Sequence, residues 1–235
     1  MTDNFELIKK LIKENYTLNK GDFFFLQILK RRKENPDLKK DVSLIDNFFI
    51  IDDKDLDNYK HQIINLCQEH NARAYIRLNK RNEDKVSLQA FKISTDELIN
   101  SINQKYEEPL KFYYLNNKIN ENFVSETEKK FYILRMISDC LMDCDWYNSV
   151  IRYQVLSAAG QFTSDPVKKW IIDIDDNSKL DEVKSYLETI TKVIGVIPTK
   201  NGHHIITIGF NPNLFTKKYP NIEIKKDSPT ILYCI

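Results

Sequence analysis

The chain is short of net charge. Its 35 lysines and arginines stand against 34 aspartates and glutamates, +1 overall in 235 residues. Total charge therefore argues neither for nor against DNA or RNA, and any nucleic-acid surface has to be a local patch. Cysteine is sparse too. Cys67, Cys140, Cys144 and Cys234 include no CxxC pair, and His61, His70, His203 and His204 have no finger-like spacing. That pattern argues against structural zinc and for thiols in a reducing compartment. The amino-terminal stretch MTDNFELIKKLIKENY is amphipathic, carries acids and has no uninterrupted apolar run. A signal peptide and a membrane span are thereby excluded, and the expected location is cytoplasmic, the host cytoplasm for a viral protein, with no membrane partner. Internal repeats and low-complexity linkers are lacking as well.

What is present fits a folded, well-solvated protein: 42% hydrophobic and 29% charged residues. The abundance of Lys, Asn and Ile resembles coding by an AT-rich genome, bacterial or viral. The length allows one large domain or two small ones, and a single domain is expected. Within 1–235 we expect a helical N-terminal lobe over 1–45, an α/β element over 46–110, a helical segment over 125–160 and a catalytic sheet module over 166–235, with any boundary near 110 to 125. The fold class is α/β (α+β), a mixed β-sheet core.

Phe5, Ile8, Leu11 and Ile12 recur at helical spacing, and Phe23 to Leu29 continue apolar until Lys30, Arg31, Arg32 and Lys33 close the segment ahead of Pro36. Two helices are the economical reading. The basic run then either grips phosphate or forms the cationic last turn of the second helix. A short strand, Phe48 to Ile51, an acidic turn and a helix through Tyr59, Ile63 and Cys67 follow. Ala72 to Leu78 reads as a strand with Arg73, Tyr75 and Arg77 on one face. Those arginines either meet phosphates or a carboxylate cluster, or belong to a solvated edge strand. Lys85 to Gln104 looks helical, Lys111 to Glu128 loop-rich, and Lys129 to Met142 helical with an apolar stripe of Phe131, Leu134, Ile137 and Leu141. Trp146 to Ala159 continues as helix until Gly160 ends it.

After Pro166 the pattern changes. Trp170-Ile171-Ile172 is a short apolar strand ending in Asp173-Ile174-Asp175-Asp176. In a strand, Asp173 and Asp175 share a face about 7 Å apart, close enough for both to hold Mg²⁺ or Mn²⁺; otherwise the strand has ended and the aspartates form an exposed turn. A helix over Leu180 to Thr191 and a strand over Val193 to Ile197 lead into Pro198-Thr199-Lys200-Asn201-Gly202-His203-His204, a tight turn and another strand. Such a hairpin sets hydroxyl, ammonium and backbone N–H groups where a triphosphate can sit, with a histidine beside them. A histidine there is, by itself, usually structural.

The stretch Trp170 to Asp175, an apolar strand ending in Asp-x-Asp, resembles the first motif of the archaeo-eukaryotic primase superfamily. Thr199-Lys200-Asn201-Gly202-His203-His204 resembles its second, a small hydroxyl residue and then Gly-x-His, with His204 at the family's histidine. For the third motif, an apolar residue and an acid on a later strand, Ile222-Glu223-Ile224 fits with Glu for Asp, and Asp227 competes. The resemblance covers residues 168 to 233. It implies that Asp173, Asp175 and Glu223 or Asp227 bind two divalent metals, Mg²⁺ or Mn²⁺, and that His204 contacts the phosphate of an incoming nucleoside triphosphate. It implies a primer or its extension as product, on a single-stranded DNA or RNA template, beside replication proteins such as a helicase. Thr199, Lys200, Asn201 and Gly202 would help position the triphosphate, with Arg73 or Arg77 neutralising charge. Neither the helical accessory domain nor the zinc stem of many members of that superfamily is expected from this sequence. Rival readings are a metal-dependent nuclease and a non-catalytic accessory or host-defence-inhibiting protein on the same fold. A haloacid-dehalogenase-type phosphatase would need further motifs in the sixty residues after Asp175.

Overall fold

In the computed structural model, which describes residues 1–90, 92–93 and 154–235, the apolar run from Phe23 to Leu29 is the middle of a strand rather than a second helix. That strand, β2 (Asp22–Arg31), pairs antiparallel with β3 (Val42–Ile50). The lobe expected to be helical therefore holds one helix, α1 (Phe5–Asn15), and a long hairpin. Consecutive apolar residues fit a buried strand and a buried helix equally by spacing. Here Phe23, Phe24, Phe25, Leu26 and Ile28 are all buried, filling both faces of a pleated strand, an environment aromatic and β-branched side chains suit.

Among the described residues the chain divides into two compact units, Met1–Glu83 with Thr163–Ile235, and Asp84–Phe162. In the second, residues 84–90 and 154–161 are helical, the latter stretch running through Gly160 rather than stopping at it. The loop expected over Lys111 to Glu128, the helix over Lys129 to Met142, Cys140, Cys144, and the remaining parts of the helices expected over Lys85 to Gln104 and Trp146 to Ala159 lie outside the described residues.

The first unit carries two sheets, and every described strand pair in them is antiparallel, not the single mixed sheet expected. One sheet runs β1 (Thr2–Asp3), β10 (Thr230–Cys234), β4 (Arg73–Ile76), β2, β3, with β5 (Arg81–Asn82) on the start of β2. Helices α1 and α2 (Asp55–His70) supply Phe5, Ile8, Leu11, Ile12, Leu56, Ile63 and Cys67 to its core. The other sheet runs β7 (Val193–Pro198), β8 (His203–Ile208), β6 (Lys169–Ile174), β9 (Glu223–Lys225). With α3 (Leu180–Ile190) after β6 and α4 (Asn213–Lys218) after β8, it is a split β-α-β arrangement. β6 and β7 run the same way, joined by α3, but β8 inserts between them, which is why all pairs are antiparallel.

Alternation along β6 decides what each face does. Ile172 and Ile174 pack with Val183, Leu187, Ile205 and Phe215 under α3 and α4, each buried aliphatic side chain contributing about 1.5–3 kcal/mol. Ile171, with Ile197 and Ile206, joins the core of the first sheet, so Asp173 faces that way too. Cys67 and Cys234 are buried free thiols; burial, and then the neighbouring Cys234, push the Cys67 thiol up to about 12. Among the described residues no helix is long and apolar enough to cross a membrane.

Candidate functional site

Antiparallel register brings the two sequence motifs together. Asp173 of β6 lies directly opposite His204 of β8 on one side and Glu223 of β9 on the other, so three chemically active residues stand side by side on one face. His204 Nε2 lies 3.4 Å from Asp173 Oδ1, while its Nδ1 shares a 2.9 Å hydrogen bond with the hydroxyl of Thr230 on β10. Both ring nitrogens are engaged, and the imidazole ties one sheet to the other. Asp173 is in the strand, and Asp175, one residue past its end, is exposed. Asp176 caps the short 3₁₀ turn Asn177–Lys179, accepting from the Ser178 backbone N–H at 3.0 Å and its hydroxyl at 2.6 Å.

The turn between β7 and β8 leans on the end of β6. Thr199 closes it: its N–H donates to the Gly202 carbonyl at 2.8 Å, and its hydroxyl accepts from the Gly202 N–H at 3.0 Å. A Cβ at Gly202 would sit 2.0 Å from the Ile174 carbonyl oxygen and 3.0 Å from the Asp175 Cα. Only a residue without a side chain lets the turn lie against the aspartates. Lys200 and Asn201 are exposed at its tip, and His203 points elsewhere, with Nδ1 2.9 Å from Asn177 Oδ1.

These elements form one wall of a cleft of about 470 Å³ lined by Asp173, Asp175, Thr199, Lys200, Asn201 and His204, a volume within the range of small-ligand sites. Arg31, Arg73 and Tyr75 of the first sheet and Lys225 also line it. Arg73 is paired with Glu34, and Arg31 donates to the Tyr75 hydroxyl at 3.3 Å. Lys225 sets the electrostatics. Its ammonium pairs with Asp173 Oδ2 and lies 3.3 Å from Glu223 Oε2. Hydrogen bonding from His204, against the cost of burial, and then from Lys225 lowers the Asp173 carboxyl to about 2. Burial pulls the Lys225 ammonium down, but Asp173 outweighs it and holds the pKa above that of an ordinary lysine.

Two of the expected site residues are placed elsewhere. Asp227 accepts from Asn79 Nδ2 at 2.9 Å and from the fully buried Arg81 at 3.0 Å, and its carbonyl accepts from Arg77. Neither Asp227 nor Arg77 lines the cleft; both hold the β9–β10 connection against the turn after β4. Glu223, exposed at the start of β9, is not among the lining residues either. Among the described residues no three His, Cys, Asp or Glu side chains are gathered closely enough to hold a metal ion. Lys225, Thr230, Arg31 and Tyr75 were not singled out in the sequence as members of the site. Lys225 had a signal, since period-two alternation puts it on the face of Glu223; Thr230 had none, because only the meeting of two sheets gives it a histidine.

Comparison of the chain with protein-family models, with curated proteins and with solved structures found no match.

Proposed function

We propose that the cleft is the site of a divalent-metal-dependent nucleotidyltransferase of primase–polymerase type, taking nucleoside triphosphates and acting on single-stranded or primed nucleic acid. The observation that carries this reading is the convergence of Asp173, Asp175, His204 and the Thr199–Gly202 turn on one cleft whose opposite wall carries Arg31 and Arg73. The donor set suits Mg²⁺ or Mn²⁺: Asp173, Asp175 and Glu223 offer only hard carboxylate oxygens, and Asp173 and Glu223 already converge on one cation, the Lys225 ammonium. Asp173 and Asp175, which line the cleft, would hold the metal, and Glu223 would join them only by displacing the Lys225 ammonium that it now faces. When bound, such ions activate a hydroxyl nucleophile and neutralise a leaving pyrophosphate. In this reading Lys200, Asn201 and Arg73 would bind the triphosphate, and His204, anchored by Thr230, would orient Asp173. Asp227 and Arg77 have scaffold roles.

The test is extension of a labelled, primed template in Mn²⁺. Asp173→Ala/Asp175→Ala is expected to lose extension by about a hundredfold or more; a variant as active as the parent rules the reading out. Shortening of the strand in the same assay would instead mark a nuclease. One observation favours a second reading, a non-catalytic binding module: the Asp173 carboxylate is already paired with the Lys225 ammonium. Mn²⁺ titration decides between them, because a binding module leaves Mn²⁺ unbound in the parent and in Lys225→Met alike.

A further inference from the structure

The basic run Lys30-Arg31-Arg32-Lys33 is open, in the sequence, between phosphate contact and the last turn of a helix. With Asp22–Arg31 a strand, no helix end is there to be neutralised. The run instead starts the tip of the β2–β3 hairpin, where Lys30, Arg31, Arg32, Lys33, Lys39 and Lys40 face only three acids, Glu34, Asp37 and Asp41. Two of those acids are engaged internally, Glu34 by Arg73 and Asp41 by Arg32 at 4.0 Å. Lys33, Lys39 and Lys40 are exposed and have no ion-pair partner among the described residues.

The tip is also pinned. Asn35 donates to the carbonyls of Arg31 and Asn71, each at 3.1 Å, and Asn71 returns a 3.1 Å bond to the Glu34 carbonyl. Asn71 is the left-handed cap of α2, at φ 46°. The lysines thus ride on an arm whose ordering cost is already met by folding. Where that arm meets the body of the unit, its own residues Leu29, Arg31 and Val42 line the cleft.

We propose that the β2–β3 hairpin is a backbone-phosphate rail that guides single-stranded nucleic acid into the cleft. Lys33, Lys39 and Lys40 do not line the cleft, and a polymer with one charge per nucleotide can touch them and the cleft together. A duplex is too wide for a cavity of this volume. The proposal rests on the reading of the cleft for where the strand leads, but not for the contact itself. Lysine contacts of this kind neutralise phosphates and release counterions, without reading sequence.

The experiment uses the full chain, fluorescence anisotropy of a labelled oligothymidylate over a salt series, and the variant Lys33→Gln/Lys39→Gln/Lys40→Gln. Relative to the parent, the variant should bind about tenfold or more weakly at low salt, with a salt slope shallower by about 2. Lys10→Gln/Lys13→Gln/Lys217→Gln, which removes the same charge from other exposed positions, should bind like the parent. An unchanged slope in the hairpin variant, an equal loss in the control, or a parent that binds no oligothymidylate overturns the proposal. So does a hairpin variant that loses phosphatidylserine vesicles rather than the oligonucleotide. Binding of GTP with Mn²⁺, measured in parallel by calorimetry, should be the same in parent and hairpin variant. A parent that binds oligothymidylate through the hairpin but no GTP removes the reading of the cleft and leaves the rail standing.

Discussion

Asp173 reaches a carboxyl pKa of about 2, against an ordinary 3.8, because a hydrogen bond from His204 and an ion pair with Lys225 outweigh the cost of its burial. A carboxyl whose pKa is lower folded than unfolded binds fewer protons in the native state through that interval. The stability it adds is therefore complete above the ordinary value and is lost as pH falls towards 2. The interval from 3.8 to about 2 corresponds to about 2.5 kcal/mol; with the side chain 18% exposed, screening by water reduces the expectation to about 1–2 kcal/mol. Urea unfolding checks it. The stability advantage of the parent over Asp173→Asn, which cannot titrate, should shrink by about 1–2 kcal/mol between about pH 5 and about pH 2. An advantage independent of pH would mean that the pairing with Lys225 and His204 does not form in solution.

The turn between β7 and β8 shows how one missing side chain positions a whole hairpin. At Gly202 the obstacle to a Cβ is the Ile174 carbonyl oxygen, 2.0 Å away, a backbone atom of β6 already committed to the sheet. At Gly209 a Cβ would meet only the Trp170 ring, at 3.2 Å, and a side chain can give way. Gly202→Ala should therefore cost about 1–3 kcal/mol and, on the proposed reading of the cleft, weaken nucleotide binding by displacing Lys200 and Asn201, which line it. Gly209→Ala should cost less and leave binding unchanged. Urea unfolding with nucleotide titration separates the two, and equal effects would mean that the turn does not lie against β6. Of this element the sequence showed the turn, the glycine and the following strand. The two short strands joined by one helix were expected to neighbour each other in one sheet, and β8 does lie beside β6; the register that sets Asp173 opposite His204 was not legible.

Taken whole, the first unit is built from both ends of the chain around the insertion Asp84–Phe162. The two chain crossings are fastened to each other within that unit. The Lys80 carbonyl accepts from the Thr163 hydroxyl at 3.1 Å and the Ser164 N–H at 3.2 Å. The Lys80 N–H donates to Asp165, whose carboxylate also pairs with the buried Lys169 at 2.6 Å. Phe24, Leu26 and Ile28 from before the insertion share a core with Ile171, Ile206 and Leu232 from after it. Replacing Asp84–Phe162 with a short Gly/Ser linker should then leave a unit that unfolds cooperatively in urea. Loss of cooperativity, or of the β signal in circular dichroism, would show that the insertion is part of the fold.

Residue type and spacing alone determined α1, α2, the strand that carries Asp173, and the Thr199–His204 turn with its glycine, because each is written in a local period or a local turn preference. Those same local signals misread Phe23 to Leu29, where spacing is silent, and left Glu223 and Asp227 as equals. Tertiary structure decided the first and gave Asp227 partners away from the cleft. β2 is a strand because partners lie on both its edges, and Asp227 is held by Arg81 and Asn79, almost 150 positions earlier in the chain. The pairing of Asp173 with His204, Glu223 and Lys225 likewise depends on strand register, a relation between distant segments that no single segment encodes.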